Sequence, residues 1–170
     1  MIQGRKCFLR ALEPSDVTLL YNWENDVNVW KYGSTTRPVS QSEIEALVFQ
    51  ADLDIYQTRQ MRLMICHDND TVGCIDLFDF DPFNMRGAVG ILISEDYRDK
   101  GYASDALDAF VNYLFSVLHL HQVYATTLDN NIASIRLFSS CGFSQCGVRR
   151  QWLRTTDGYS DEVIMQKINE

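Results

Sequence analysis

Apolar and polar positions follow two different periods along this chain, and the changes of period mark its elements. Met61–His67 and Val72–Phe80 read as paired strands around the polar turn Asp68-Asn69-Asp70-Thr71. In the second of these, alternation puts Cys74, Asp76, Phe78 and Phe80 on one face. Ala88–Ser94 is an almost unbroken apolar run, the signature of a strand covered on both sides and so central in its sheet. From Gly101 the period lengthens. Ala103, Ala106, Leu107, Phe110, Val111, Leu114, Phe115 and Leu118 recur at helical spacing, with Asp105, Asp108 and Asn112 opposite them. Val123–Leu128 returns to a strand. Strand, helix and strand make a βαβ unit, so the two strands run parallel through a right-handed crossover.

The flanking segments fill in the rest. Cys7–Ala11 predicts a first strand, and Glu13-Pro14-Ser15-Asp16 opens a helix to about Trp23, with Pro14 at its entry. Asn22–Pro38 is irregular and carries Trp23, Trp30 and Tyr32. Ser40 or Ser42 caps a second helix with Ile44, Leu47 and Val48 on one side. Ile132–Cys141 predicts another helix, stopped by Gly142. Ser144–Leu153 and Tyr159–Ile168 are the closing strands, turning at Asp157-Gly158. The expected class is α/β: one domain over residues 1–170, with a mixed central sheet of about seven strands and about four helices.

Composition narrows the partners. The 170 residues suit one domain, and 46% apolar with 22% charged residues is ordinary globular usage. Lys and Arg number 15 against 23 Asp and Glu, a net charge of −8. That sign excludes a dedicated nucleic-acid binder and suits a cationic or amine partner. Five cysteines without a C-x-x-C, several inside apolar runs, predict reduced thiols in a cytoplasmic protein. Met1–Lys6 has no signal-peptide apolar core. Ala109–Leu128 lacks charge, but its period changes midway and it holds Asn112, Ser116, His119, His121 and Gln122. It reads as a helix end and a strand, so no membrane partner is expected. His119-x-His121 has no third ligand spaced nearby, so no metal is expected either.

The segment Arg98-Asp99-Lys100-Gly101-Tyr102-Ala103-Ser104 joins the central strand to the long helix. A helix N-terminus offers unpaired N–H groups and partial positive charge, and Gly101 allows close approach of a ligand. Arg98 and Lys100 add charge. Neither a Walker loop nor a Gly-x-Gly-x-x-Gly is present. From this loop alone, a helix that merely begins with a glycine among exposed basic residues is an equal reading. The downstream segment tips the balance: Asn131-Ile132-Ala133-Ser134-Ile135-Arg136-Leu137-Phe138, ending in Cys141-Gly142-Phe143. Together the two motifs resemble the acetyl-CoA pyrophosphate loop and following helix of the GNAT N-acetyltransferase family. Phe8-Leu9-Arg10-Ala11-Leu12-Glu13-Pro14-Ser15-Asp16 is similar to that family's opening strand and helix, so the resemblance spans nearly the whole chain.

The resemblance implies a GNAT fold and acetyl-CoA as co-substrate. Arg98, Asp99, Lys100, Gly101, Tyr102, Ala103 and Ser104 would wrap the pyrophosphate. The strand residues Ile91, Leu92 and Ile93 would line the pantetheine arm, with the Ile91 N–H polarising the thioester carbonyl. Asn131 would meet the pantetheine amides, Arg136 the nucleotide end and Phe138 the thioester end, with Ser134 also among the cofactor-binding residues. The sequence departs from the family at two places. The usual base, a Glu, falls on Ala88, and the usual acid, a Tyr, falls on Phe138. Asp76, followed by Asp79 and Asp81, is the candidate base and amine anchor, with a solvated strand end as the alternative for the three. Glu24 and Asp26 are further carboxylates, Tyr102 and Ser139 further proton donors, and Trp30 a candidate acceptor wall by cation–π contact. The implied activity is transfer of an acetyl group to a primary amine, with a polyamine or diamine acceptor. The alternatives are a protein N-terminus, as in the ribosomal-protein acetyltransferases, other amines including antibiotics, or a CoA-binding sensor with a degenerate site. A homo-oligomer is expected from a sheet edge near Tyr159–Ile168.

Overall fold

The computed structural model describes residues 1–30, 37–51, 53–155 and 158–170. The chain opens with β1 (Ile2–Gln3) and β2 (Phe8–Arg10). A 3₁₀ turn at Pro14–Asp16 then leads into α1 (Val17–Glu24), α2 (Val27–Trp30), α3 (Gln41–Gln50) and α4 (Ile55–Thr58). The hairpin β3 (Met61–His67) and β4 (Asp70–Asp81) follows, then β5 (Arg86–Ile93), α5 (Tyr102–Ser116), β6 (Gln122–Leu128) and α6 (Ile132–Ser140). β7 (Ser144–Thr155) and β8 (Gly158–Ile168) close the chain. Among the described residues the strands form one eight-stranded sheet in the order β1-β2-β3-β4-β5-β6-β8-β7. β5 and β6 are its parallel pair, as the βαβ reading requires, and the sheet is mixed as expected.

Two apolar clusters sit on opposite faces of the sheet. On one face Leu107, Phe110 and Leu114 of α5 and Phe138 of α6 pack against Ile75, Leu77, Val89, Val123 and Ala125. On the other, Leu20 of α1 and Ile44 and Val48 of α3 cover Met64, Cys66 and Cys74. Ser40, not Ser42, caps α3. Its hydroxyl accepts the Glu43 N–H at 3.3 Å while Glu43 accepts the Ser40 N–H at 2.9 Å, a reciprocal box at the helix start. Gly142, at φ 84°, ends α6 as expected, and the Phe143 N–H bonds back to the Phe138 carbonyl at 3.0 Å.

Several expectations change. Phe80 does not share a face with Cys74 and Asp76. The β4–β5 register shifts between Phe78 and Asp81, and Asp79 takes φ 50°. The Phe80 N–H therefore bonds the Arg59 carbonyl at 3.1 Å, and its ring meets Tyr56 of α4 on the opposite face, beside Ile75 and Leu77. The irregular stretch contains α2, and α4 precedes β3; each is four residues long, too short to show a period. β8 is not an edge: it pairs with β6 on one side and β7 on the other, so β1 and β7 are the edges. Tyr32 and Asp157 lie outside the described residues. All five cysteines are free thiols, four of them buried.

Candidate active site

β5 and β6 pair at only three places, Arg86↔Gln122, Gly87↔Val123 and Ala88↔Tyr124. Beyond Ala88 the strands part, leaving a gap in the middle of the sheet. The ladder on the other side of β5 fixes which backbone groups face that gap. The Ser94 N–H bonds the Val72 carbonyl at 2.9 Å. In an antiparallel ladder the bonded residues alternate, so Leu92 and Gly90 also turn their backbone to β4, and Ile91 and Ile93 turn theirs to the gap. The Ile93 carbonyl accepts Arg98 Nε at 3.2 Å, which brings that guanidinium to the mouth of the gap. Leu92 is turned away, with its side chain against the α1 and α3 cluster.

The loop after β5 coils through two left-handed residues, Asp99 at φ 60° and Gly101 at φ 83°. It delivers the α5 N-terminus to the same end of the gap. The N–H groups of Tyr102, Ala103 and Ser104 open the helix and have no partner within it. They leave free donors and partial positive charge at this end of the helix. The side chains are arranged differently. Lys100 Nζ folds back to the Asp96 carbonyl at 2.9 Å and lies 5.0 Å over the Tyr97 ring. Tyr102 is buried, its ring 4.9 Å from His67, so it offers the gap a backbone amide and no hydroxyl.

The loop is tied from behind by residues the motif does not include. Asp105, only 6% exposed, accepts the N–H groups of Arg5 at 3.0 Å, Lys6 at 2.7 Å and Cys7 at 3.0 Å. Burial would raise its pKa, but these amides and the Cys7 thiol together hold it below the ordinary carboxylate value. Lys6 Nζ donates to the Lys100 carbonyl at 3.1 Å, beside Gly101. On α6, Asn131 uses its side-chain oxygen to cap Ser134 N–H at 3.2 Å, leaving its amide nitrogen to donate. Arg136 is exposed. Phe138 is 3% exposed, with its ring 5.1 Å from Phe143.

The opposite face carries the carboxylates. Asp76 does not sit in a trio with Asp79 and Asp81. It receives Arg62 Nε at 2.6 Å and the second terminal nitrogen at 3.1 Å, and Arg62 also reaches Glu24 at 2.6 Å. Burial alone would lower the Arg62 pKa, but Asp76 and Glu24 hold it well above its ordinary value. Asp81 caps the hairpin turn through the Asn84 side chain at 2.7 Å and the Phe83 and Asn84 amides, with Arg86 at 3.4 Å. Asp79 meets the Tyr124 hydroxyl at 3.4 Å. Trp30 donates Nε1 to the Glu24 main-chain carbonyl at 2.6 Å, which ties its indole to the end of α1. Arg62 and Tyr124 were missed in the sequence. Arg62 lies directly across from Asp76 in the β3–β4 register, a cross-strand pair of opposite charge that the hairpin reading could have found. Tyr124 carried no such signal. Among the described residues no group of His, Cys, Asp and Glu side chains is placed to hold a metal ion, and no helix is long and apolar enough to cross a membrane.

Comparison with known proteins follows the same lines. The acetyltransferase (GNAT) domain family matches residues 6–144. The spermidine N(1)-acetyltransferase of Vibrio cholerae is 25% identical over 140 residues, 82% of this chain and 79% of that protein. Its counterpart in Escherichia coli strain K12 is 27% identical over 139 residues, 80% of this chain and 72% of that protein. The crystal structure of the Vibrio cholerae enzyme with CoA and spermine superposes with a TM-score of 0.87 at 23% identity, covering 96% of this chain and 95% of that one. RimL, a ribosomal L7/L12 α-N-protein acetyltransferase in complex with coenzyme A, does so at 0.86 with 19% identity, over 99% and 96% of the two chains.

Proposed function

Since the chain belongs to the GNAT acetyltransferase family and is an N-acetyltransferase, we propose that it moves an acetyl group from acetyl-CoA to a primary amine of a small polycation. The observation that carries the reading is the gap between β5 and β6, with the Ile91 and Ile93 backbone on one wall and the α5 N-terminus at its end. Bound acetyl-CoA supplies the acyl thioester. The Ile93 backbone and the Asn131 amide suit the pantetheine amides. The N–H groups of Tyr102, Ala103 and Ser104, with Arg98 beside them, suit the pyrophosphate, and Arg136 suits the nucleotide end. The Ile91 N–H is the donor to the thioester carbonyl oxygen, where negative charge grows during attack.

The acceptor side supports a cation. Glu24 and Asp76 share a single guanidinium, so that group keeps one net negative charge, and the Trp30 indole is bonded to the Glu24 main chain. The net charge of −8 and the spermidine acetyltransferase relatives point the same way. An alkylamine of pKa ~10.4 is neutral in only ~10⁻³ to 10⁻⁴ of molecules near pH 7, a barrier of about 4–5 kcal/mol that the site must offset by taking a proton. The test is thiol release from acetyl-CoA with a panel of spermidine, diamines, aminoglycosides and peptides with free N-termini. Release with spermidine or a diamine is the expected result. Release with peptides alone would assign the acceptor to protein N-termini. CoA binding without release to any amine would make the protein a sensor.

A further inference from the structure

On the face of the sheet that carries Asp76, nearly every carboxylate is saturated by a cation or by amides. Glu24 and Asp76 divide Arg62 between them. Asp81 is consumed by its turn and Arg86. Glu162 pairs with Arg149 at 2.7 Å. Asp79 differs: its bond is to a neutral donor, the Tyr124 hydroxyl at 3.4 Å. Asp79 belongs to β4 and Tyr124 to β6, the strands on either side of β5. Strands separated by one neighbour lie roughly 9.6 Å apart, so the two side chains meet above β5. Ala88 lies beneath them, in register with both Phe78 and Tyr124 and itself buried. The left-handed turn at Asp79 and the bulge around it swing the carboxylate off the regular pleat. Ala88 and Tyr124 are also the last paired row before β5 and β6 part. The pair therefore stands at the closed end of the gap. Phe78 lies alongside, its ring edge 3.3 Å from where a side chain on Gly90 would begin.

We propose that Asp79, held across β5 by the Tyr124 hydroxyl, is the proton acceptor for the incoming ammonium group. This rests on the acetyl-transfer reading above. The ammonium gives one proton to an Asp79 carboxylate oxygen, directly or through one water. The freed nitrogen lone pair attacks the thioester carbonyl carbon, the C–N bond forms and the C–S bond breaks. The second proton on nitrogen leaves with the sulfur as thiol, and Asp79 returns its own proton to solvent. Tyr124 is a positioning residue and moves no proton. Burial and the Asp79 charge raise its pKa, against Arg86 from β5 and Arg149 from β7, which lower it, so the hydroxyl stays a donor through the neutral range. An acid at this place does for Ala88 what a carboxylate on β5 itself would do, from the next strand over.

The test is Asp79→Asn, a change that suits the left-handed backbone, since Asn takes φ near +50° readily. At saturating amine near neutral pH, kcat should fall about 100-fold or more, as loss of a general base does. Acetyl-CoA affinity by calorimetry should stay unchanged. The deficit should shrink as pH approaches ~10, where the amine sheds its own proton. Asp79→Glu should restore part of the rate. Tyr124→Phe should lower kcat about tenfold with the same pH signature, because the carboxylate keeps its charge and loses its placement. A rise in KM with kcat intact, abolished by salt, would make Asp79 an anchor and overturn the proposal. So would a deficit that is the same at every pH. A wild type that binds CoA and acetylates no amine at any pH would instead remove the acetyl-transfer reading itself, and the proposal with it.

Discussion

At the scale of single residues, the decisive side chains are those with several partners. Asp105 joins the N-terminal strand to the helix that begins the candidate CoA site, through three backbone N–H groups and the Cys7 thiol at 3.3 Å. Asp105→Ala strands those amides in a half-buried place, and each unmade bond costs about 1–3 kcal/mol, so we expect a loss of about 3 kcal/mol or more by urea unfolding. The pH dependence has a definite sign. The folded pKa lies below the unfolded one, so the carboxylate stabilises the fold above its unfolded pKa of 3.8 and the benefit fades as pH falls through the folded value. The wild type should therefore lose stability as pH falls below about 5 more steeply than Asp105→Asn does. Phe138 makes the contrary case. It is 3% exposed and packs edge-on against Phe143. A hydroxyl placed there by Phe138→Tyr enters apolar packing at a cost of about 1–3 kcal/mol. We expect a lower melting temperature and no gain in kcat; a faster enzyme would mean that the ring reaches the gap and that proton supply to the leaving sulfur limits the rate.

At the scale of elements, the loop and helix at residues 98–116 show what the sequence could and could not reveal. The long period of α5, the apolar run of β5 and the strand after it were legible because each buries a continuous stripe against a cluster of fixed composition, and a parallel pair followed. The fork between β5 and β6 was not legible, since no residue pattern marks where two strands stop pairing. The bulge at Asp79 was hidden because the alternation Cys74, Asp76, Phe78, Phe80 reads smoothly through it, and what breaks it is a distant partner, the Arg59 carbonyl. For the same reason three acids close in sequence looked like one site while their partners, Arg62, Tyr124 and the Asn84 turn, pull them into three. Gly101 was legible, and the structure sharpens its prediction. At φ 83° a side chain costs about 1–2 kcal/mol of backbone strain, and a Cβ there comes within 2.7 Å of Lys6 Nζ, the far end of a flexible chain. Gly101→Asp should therefore fold, with a modest drop in melting temperature, and should lose CoA binding in calorimetry. Its carboxylate would stand at the helix end proposed to hold phosphate and draw Lys6 to itself.

At the scale of the whole molecule, the proposed polyamine and acetyl-CoA are of opposite sign and approach a body of net charge −8. Long-range attraction speeds a polycation toward such a protein and slows a polyanion, and salt screens both effects. The local sites have signs of their own: the Glu24–Arg62–Asp76 group is negative by one charge, and the α5 N-terminus with Arg98 is positive. For the polyamine, the global field and the local site act together. Raising ionic strength from about 0.05 M to about 0.5 M shortens the screening length from roughly 14 Å to roughly 4 Å, so kcat/KM for spermidine should fall severalfold. For acetyl-CoA the two act in opposite senses. Screening relieves the repulsion of the whole protein while weakening the phosphate contacts at the loop, so its kcat/KM should change much less over the same range. The ratio of the two constants is the informative readout, because a general effect of salt on stability or on chemistry divides out. A parallel fall in both would mean that charge around the acceptor pocket plays no part in choosing the amine, and would turn the search toward acceptors recognised by shape, such as a peptide N-terminus lying along Trp30.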